Sequence, residues 1–131
     1  MKQALDLKPG DPDASFLMGS VLMLRRQYEA AKPYLLTALS GNPNNVPHAY
    51  ALLGKIDATQ GHLTKARAEF EKSLEADHDG SYHYQLSRVY MQLGYKQAAG
   101  AALAESEAIR KASTQRAAGR LGVPQPPLHD Q

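Results

Sequence analysis

Three alanines, Ala31, Ala66 and Ala99, are almost evenly spaced along the chain, and the pattern around them recurs with them. Met18-Gly19 returns as Leu53-Gly54 and Leu86-Ser87, and Leu35 returns as Phe70 and Leu103. A period of about 34 residues denotes one supersecondary unit repeated, each copy too small to bury its own apolar face, so that the copies must stack. The chain is therefore expected to be all-α, a solenoid of antiparallel helix hairpins, and such a stack is a surface for holding something.

The punctuation divides the chain accordingly. Asp11-Pro12-Asp13 combines a turn, a helix-start proline and acidic groups suited to a helix N-terminus, so a first helix is expected from here to about Arg25. A second is expected over Glu29 to Ser40, closed by Gly41 and Pro43. The next pair starts at Val46-Pro47 and at Lys65, with Thr64 as the expected N-cap and about Ala76 as the end. The third pair follows Asp77-His78-Asp79-Gly80 and breaks at Gly94. Gly61 and Gly94 share one slot where the hairpin reverses; Arg26 fills it in the first unit, which is expected to have a looser turn. Gly19 and Gly54 are expected to face Ala31 and Ala66 at the helix crossings, leaving Leu35, Phe70 and Leu103 to fill the space between hairpins.

The order of a large apolar residue, Gly or Ser, Tyr90 or its counterpart, Ala, a bulky apolar residue, a small one such as Ala38 or Ser73, then Pro43, resembles the tetratricopeptide repeat over about residues 12–113. The resemblance implies a right-handed superhelix with units at 12–45, 46–79 and 80–113. The chain departs from the family pattern in several slots: Ser15, Tyr50 and His83 stand where the early aromatic belongs, Ser87 replaces glycine, and His78 and Lys111 replace the closing proline. Without proline at Lys111 the last helix should run on over 114–119 as a cap, Leu103, Ile109 and Ala112 facing the stack, until Gly119 stops it. Residues 120–131, with Pro124, Pro126 and Pro127, are expected to be a disordered tail. Ala4 and Pro9 stand one repeat period before Ala38 and Pro43, so residues 1–9 read as the end of a preceding repeat and the chain as the last part of a longer repeat protein. The alternative is a chain that associates with itself through the uncovered first hairpin, where Phe16, Leu17, Val21 or Leu24 would be exposed.

Composition narrows the chemistry. Fifteen Lys and Arg against thirteen Asp and Glu give a net charge of +2, which provides no electrostatic case for nucleic acid or a membrane surface. There is no cysteine, hence no disulfide or thiolate chemistry, and this chain shows no signal-peptide or membrane-spanning stretch; its compartment stays open. The five histidines have no metal-ligand spacing, and neither a phosphate loop, a nucleophile elbow nor a carboxylate pair placed for acid–base work is visible, so no enzyme activity, cofactor or metal is expected.

In the family that the chain resembles, the first helix of each hairpin lines a concave groove that holds an extended peptide or a partner helix. Carried onto this sequence, the inward row is Phe16, Ser20 and Met23; then His48, Ala51, Lys55, Ala58 and Thr59; then Ser81, Tyr84, Gln85, Arg88 and Met91. Lys55 and Arg88 share one slot in successive repeats, which suits a protein or peptide partner bearing acidic or carboxylate groups. The bland alternative is that both cations solvate a helix face. The two-carboxylate clamp for chaperone C-termini is disfavoured, because its first Lys and Asn slots hold Phe16 and Ser20. Three functions stay in view: a peptide-binding interaction module, a self-assembling structural repeat, and a repeat region appended to a larger enzyme.

Overall fold

The computed structural model describes residues 10–122; the expected preceding-repeat remnant and the proline-containing tail beyond 122 lie outside the described residues. Six helices follow in order: α1 Pro12–Leu24, α2 Tyr28–Ala38, α3 Val46–Thr59, α4 Leu63–Ser73, α5 Ser81–Leu93 and α6 Lys96–Arg120, with a 3₁₀ turn Leu74–Ala76 after α4. Among the described residues there is no strand. Each helix packs most extensively on its hairpin partner, and α2 on α3 and α4 on α5 join the hairpins into one stack.

Two apolar clusters occupy the two junctions, and they are built alike. Met23, Ala31 and Leu35 of the first hairpin receive Leu53 and Ile56 of α3. Ala66 and Phe70 of the second, with Ala51, receive Leu86 and Val89 of α5. Ala31 and Ala66, Leu35 and Phe70, Leu53 and Leu86, and Ile56 and Val89 recur at the repeat period, so one packing solution is used twice, while Met23 and Ala51 occupy different slots.

What the glycines of the first helices meet most closely is the bulky residue of the second helix. A Cβ on Gly19 would lie 2.7 Å from Leu35 Cδ2, and one on Gly54 would lie 3.0 Å from the Phe70 ring. The bulky residue of the second helix therefore sits in a notch made by the glycine, while Ala31 and Ala66 lie in the junctions. Leu103 also departs from expectation. It is 42% exposed, because among the described residues no hairpin follows to cover it, and the buried positions of α6 are Ala99, Ala102 and Ser106. Ile109 and Ala112 are half-buried, with Glu105, Glu107, Arg110, Lys111 and Arg116 exposed.

Helix ends obey local chemistry. Asp11 caps α1 by accepting the Ala14 N–H at 3.2 Å, and Pro12 takes the first helical position. Thr64 does not cap α4. The helix begins two residues earlier than expected, at Leu63, because the chain enters it from a turn in which the His62 N–H already donates to the Asp57 carbonyl and the His62 carbonyl accepts Ala66 N–H. The turn at Arg26 is as tight as those at the glycines: Gln27 N–H donates to Leu22 O at 2.9 Å, matching His62 to Asp57 and Tyr95 to Tyr90 at 2.8 Å. This is the Schellman pattern at all three hairpins. Gly119 does not stop α6, which continues to Arg120 before Gly122 takes a left-handed conformation at φ 72°.

Candidate functional site: an inner cleft between the first helices

The first helices form an inner row, α1 touching α3 and α3 touching α5. Between α3 and α5 lies a cleft of about 260 Å³, lined by Lys55, Ala58 and Thr59 from α3 and by Gln85, Arg88, Val89 and Gln92 from α5, with Phe70 behind them. Lys55 and Arg88, in the same repeat slot of neighbouring first helices, are both exposed and border the same space. The arrangement presents two cations and two amides over an apolar floor. Carboxylates or peptide carbonyls are the groups such an opening can hold.

Other residues of the expected row are distributed differently. Thr59 and Gln85 line the cleft. Tyr84 and Met91 are exposed and line a second depression at the open end of the third hairpin, which Arg88 also borders. His48 is engaged elsewhere, two turns before Lys55, with its Nδ1 2.6 Å from the Tyr82 hydroxyl. Phe16 and Ser20 are half-buried on α1, and the Ser20 hydroxyl donates to the Phe16 carbonyl at 2.8 Å. Met23 and Ala51 depart from the expectation outright: both are buried in the junction clusters, because their helix face meets the next unit and not the cleft. Ser81 lies exposed at the start of α5, its N–H donating to Asp79 Oδ1.

An acidic pair invisible in the sequence lies behind this row. Asp57 on α3 and Glu69 on α4 stand on separate helices, yet both are buried and interact. Asp57 Oδ1 accepts from Lys32 Nζ at 3.3 Å across the first junction, and His62 Nδ1 lies at the same distance. Burial, a hydrogen bond with Asp57 and the charge of Asp57 push the Glu69 carboxyl up to about 8. Burial would also raise Asp57, but hydrogen bonds with Glu69, His62 and Lys32 outweigh it and hold that carboxyl below its usual range. Glu69 is thus favoured in its protonated form at neutral pH beside an ionised Asp57, while Asp57 Oδ2 and Glu69 Oε1 are buried without a hydrogen-bond partner among the described residues. Neither lines the cleft, so the pair belongs to the stack's interior. His83 is likewise structural: its Nδ1 lies 2.7 Å from Asp77 Oδ2, and Asp77 also accepts the Gly80 and His83 N–H groups at the start of α5.

Sequence reasoning also misses an outer depression of about 610 Å³ between the first two hairpins, lined by Pro43, Pro47, Tyr50, Glu71, Lys72 and others. Its signal in the sequence is slight. Lys72 lies 5.0 Å from the centroid of the Tyr50 ring, a pairing that only the hairpin geometry creates. Among the described residues no group of three or more His, Cys, Asp or Glu could hold a metal ion, and no helix is long and apolar enough to cross a membrane.

The geometry agrees with comparison to known proteins. No curated protein matches the chain. Two solved structures of MamA are similar, one described as MamA 41-end from Desulfovibrio magneticus RS-1 and the other as a MamA RS-1 ArsTM double mutant. Both are 24% identical over 85% of this chain, with TM-scores of 0.70 and 0.71 respectively. This chain covers 63% and 62% of those chains, less than two thirds of their length, and the likeness speaks for the fold. Tetratricopeptide repeat models match residues 1–56, 47–79 and 80–113, the last two coinciding with the second and third hairpins. The chain belongs to the tetratricopeptide repeat family and carries the helical-hairpin stack of a protein–protein interaction module.

Proposed function

We propose that the chain is a non-catalytic interaction module whose inner cleft takes a peptide segment or helix of another protein, with an acidic side chain or terminal carboxylate between Lys55 and Arg88. The observation that carries this reading is the convergence of those two cations on one opening, beside Thr59, Gln85 and Gln92 and above the apolar surface of Ala58 and Val89. A solvated helix face would need no such shared opening, and a positive site facing an acidic ligand gains chiefly in selectivity and association rate.

The double variant Lys55→Glu with Arg88→Glu tests it. Both residues are exposed, so the melting temperature should change little while capture of the protein's partner falls. Capture by the wild type should itself weaken as salt is raised. Unchanged capture by the double variant would remove the cleft from the function.

A further inference from the structure

The outer depression of about 610 Å³ between the first two hairpins shares no residue with the inner cleft. Its walls come from the end of α2 and the loop after it, the first turn of α3 and the last turns of α4, so it lies within the stack, between two hairpins that are both described. Leu39, Val46 and Tyr50 are half-buried in it, and Pro43 is exposed. Three charged residues stand on its α4 side. Glu71 is already engaged, by Arg67 at 3.2 Å and by the Tyr90 hydroxyl at 2.6 Å. Lys72 lies over the Tyr50 ring without a carboxylate partner among the described residues, and Glu75 is exposed and has no partner among them. The surface thus offers an aromatic ring and proline side chains flanked by one available cation and one available carboxylate.

Such a surface suits a proline-bearing segment. Prolines hold a chain extended without internal hydrogen bonds, so it loses little freedom on docking and packs its rings on aromatic and apolar side chains. The charges beside the floor call for one acid and one hydrogen-bond donor on the same segment. Residues 123–131 of this chain have that composition: Pro124, Pro126, Pro127 and Leu128 are followed at once by His129 and Asp130, and no other stretch of the sequence holds three prolines within four residues. The last helix decides whose depression this segment reaches. The Ser106 hydroxyl donates to the Gly80 carbonyl at the start of α5, and α6 then runs on to Arg120, about 21 Å beyond that contact. Residues 123–131 span at most about 30 Å when extended, most of which would be spent returning along α6 before crossing to the first two hairpins. The helix instead carries the segment outward, towards a neighbouring molecule.

We propose that residues 123–131 of one copy occupy the outer depression of a second copy, with Pro126, Pro127 and Leu128 against Tyr50, Pro43 and Val46, Asp130 beside Lys72 and His129 beside Glu75. Each chain has one such segment and one such depression, so two chains close on each other by exchanging segments, and the inner clefts stay open.

Sedimentation of the full chain over a wide range of concentration, with amide NMR spectra at both ends of the range, tests this. The wild type should pass from one chain to two as concentration rises, and the Val46, Tyr50 and Glu75 signals should move with it. Pro126→Ser with Pro127→Ser, which touches no residue of the described stack, should abolish both changes. An excess of a synthetic peptide of residues 121–131 should return the wild type to one chain while keeping those three signals in their bound positions. Lys72→Glu and Asp130→Lys should each weaken the dimer roughly fivefold, and the two together should restore it, since each reversed charge again meets its opposite. Lys55→Glu with Arg88→Glu should leave the dimer intact, which separates this result from that for the inner cleft. Circular dichroism checks the folding of each variant, and if Lys72→Glu unfolds, the serine variant and the peptide decide alone. A wild type that stays monomeric overturns the exchange, whether its depression ignores the peptide or responds to the serine variant as a site filled by the chain's own segment. Dimers that survive the double serine change, or charge reversals in folded proteins that do not compensate, overturn it as well.

Discussion

Arg26 and Gly61 hold the same position in successive hairpin turns, and both adopt left-handed backbone conformations, at φ 59° and 86°. The turn hydrogen bonds are equally short in both, so the first unit has kept the turn and carries the strain of a side chain in it. An L-residue in this region costs about 1–2 kcal/mol, while glycine loses more freedom on folding. Arg26→Gly should therefore stabilise the protein by about 0.5–1 kcal/mol, the remainder after those opposing effects. A denaturant midpoint that falls in this variant would show that the Arg26 side chain contributes more than the strain it imposes.

Gly54 and Phe70 form a complementary pair, ring in notch, as Gly19 and Leu35 do. Gly54→Ala gains helix propensity of about 1 kcal/mol but forces a fully packed aromatic to move, at about 1–3 kcal/mol. The net should be a loss of stability. Phe70→Leu alone leaves a cavity in the second junction, yet adding it to Gly54→Ala should cost less than the sum of the two, since a smaller side chain then meets a shallower notch. Thermal or denaturant unfolding of the four proteins supplies the cycle, and strict additivity would contradict the pairing.

Much of this architecture is legible in the sequence because one period controls several independent slots. The alanine ladder, the reversing glycines and the helix-start prolines fall where the hairpins need them, and they place the starts of α1, α2, α3 and α5 within about a residue. The features that escape are those that depend on what one face meets. Thr64 has the chemistry of a cap but not its place, since the turn before it already supplies the hydrogen bonds. Ala51 shares α3 with the cleft residues Lys55, Ala58 and Thr59, yet its face meets α5 in the second junction, and Met23 lies on α1, which contributes no residue to the cleft, and is buried in the first junction. Asp57 and Glu69 are ordinary helix-surface residues in a linear reading, and only the crossing of α3 and α4 brings them together. Lys55 and Arg88 are legible as a pair because they share a repeat slot.

Asp77 does for α5 what Thr64 does not do for α4. Its carboxylate accepts the Gly80 N–H at 2.9 Å through Oδ1 and the His83 N–H at 2.9 Å through Oδ2. Asp77→Ala removes both and leaves buried N–H groups without a partner, so it should destabilise by about 1–3 kcal/mol. Thr64→Ala, on an exposed helical position, should stay within about 0.5 kcal/mol of the wild type. Equal effects would mean that the start of α5 is held by packing alone.

The Asp57–Glu69 pair gives the stack a pH dependence whose sign follows from the direction of each shift. Glu69 is raised from 4.5 to about 8, so the folded protein favours its protonated form; that stability is complete below 4.5 and is lost as pH rises through about 8. Asp57 is lowered, so its contribution is present above 3.8 and disappears in acid. The cations facing the pair are Lys32 from α2 and Lys65 on α4, which favour the ionised form of Glu69 and moderate the loss, while His62 from the turn before α4 faces Asp57 as a hydrogen-bond partner. The melting temperature should therefore decline from mildly acidic towards alkaline pH. Glu69→Gln keeps a hydrogen-bond donor beside Asp57 and removes the titrating proton, so its curve should be flatter and should cross above the wild type on the alkaline side. A wild-type curve that is level or rising from acidic to alkaline pH, or a Glu69→Gln curve that runs parallel to it, would mean that Glu69 is not held protonated in the folded stack.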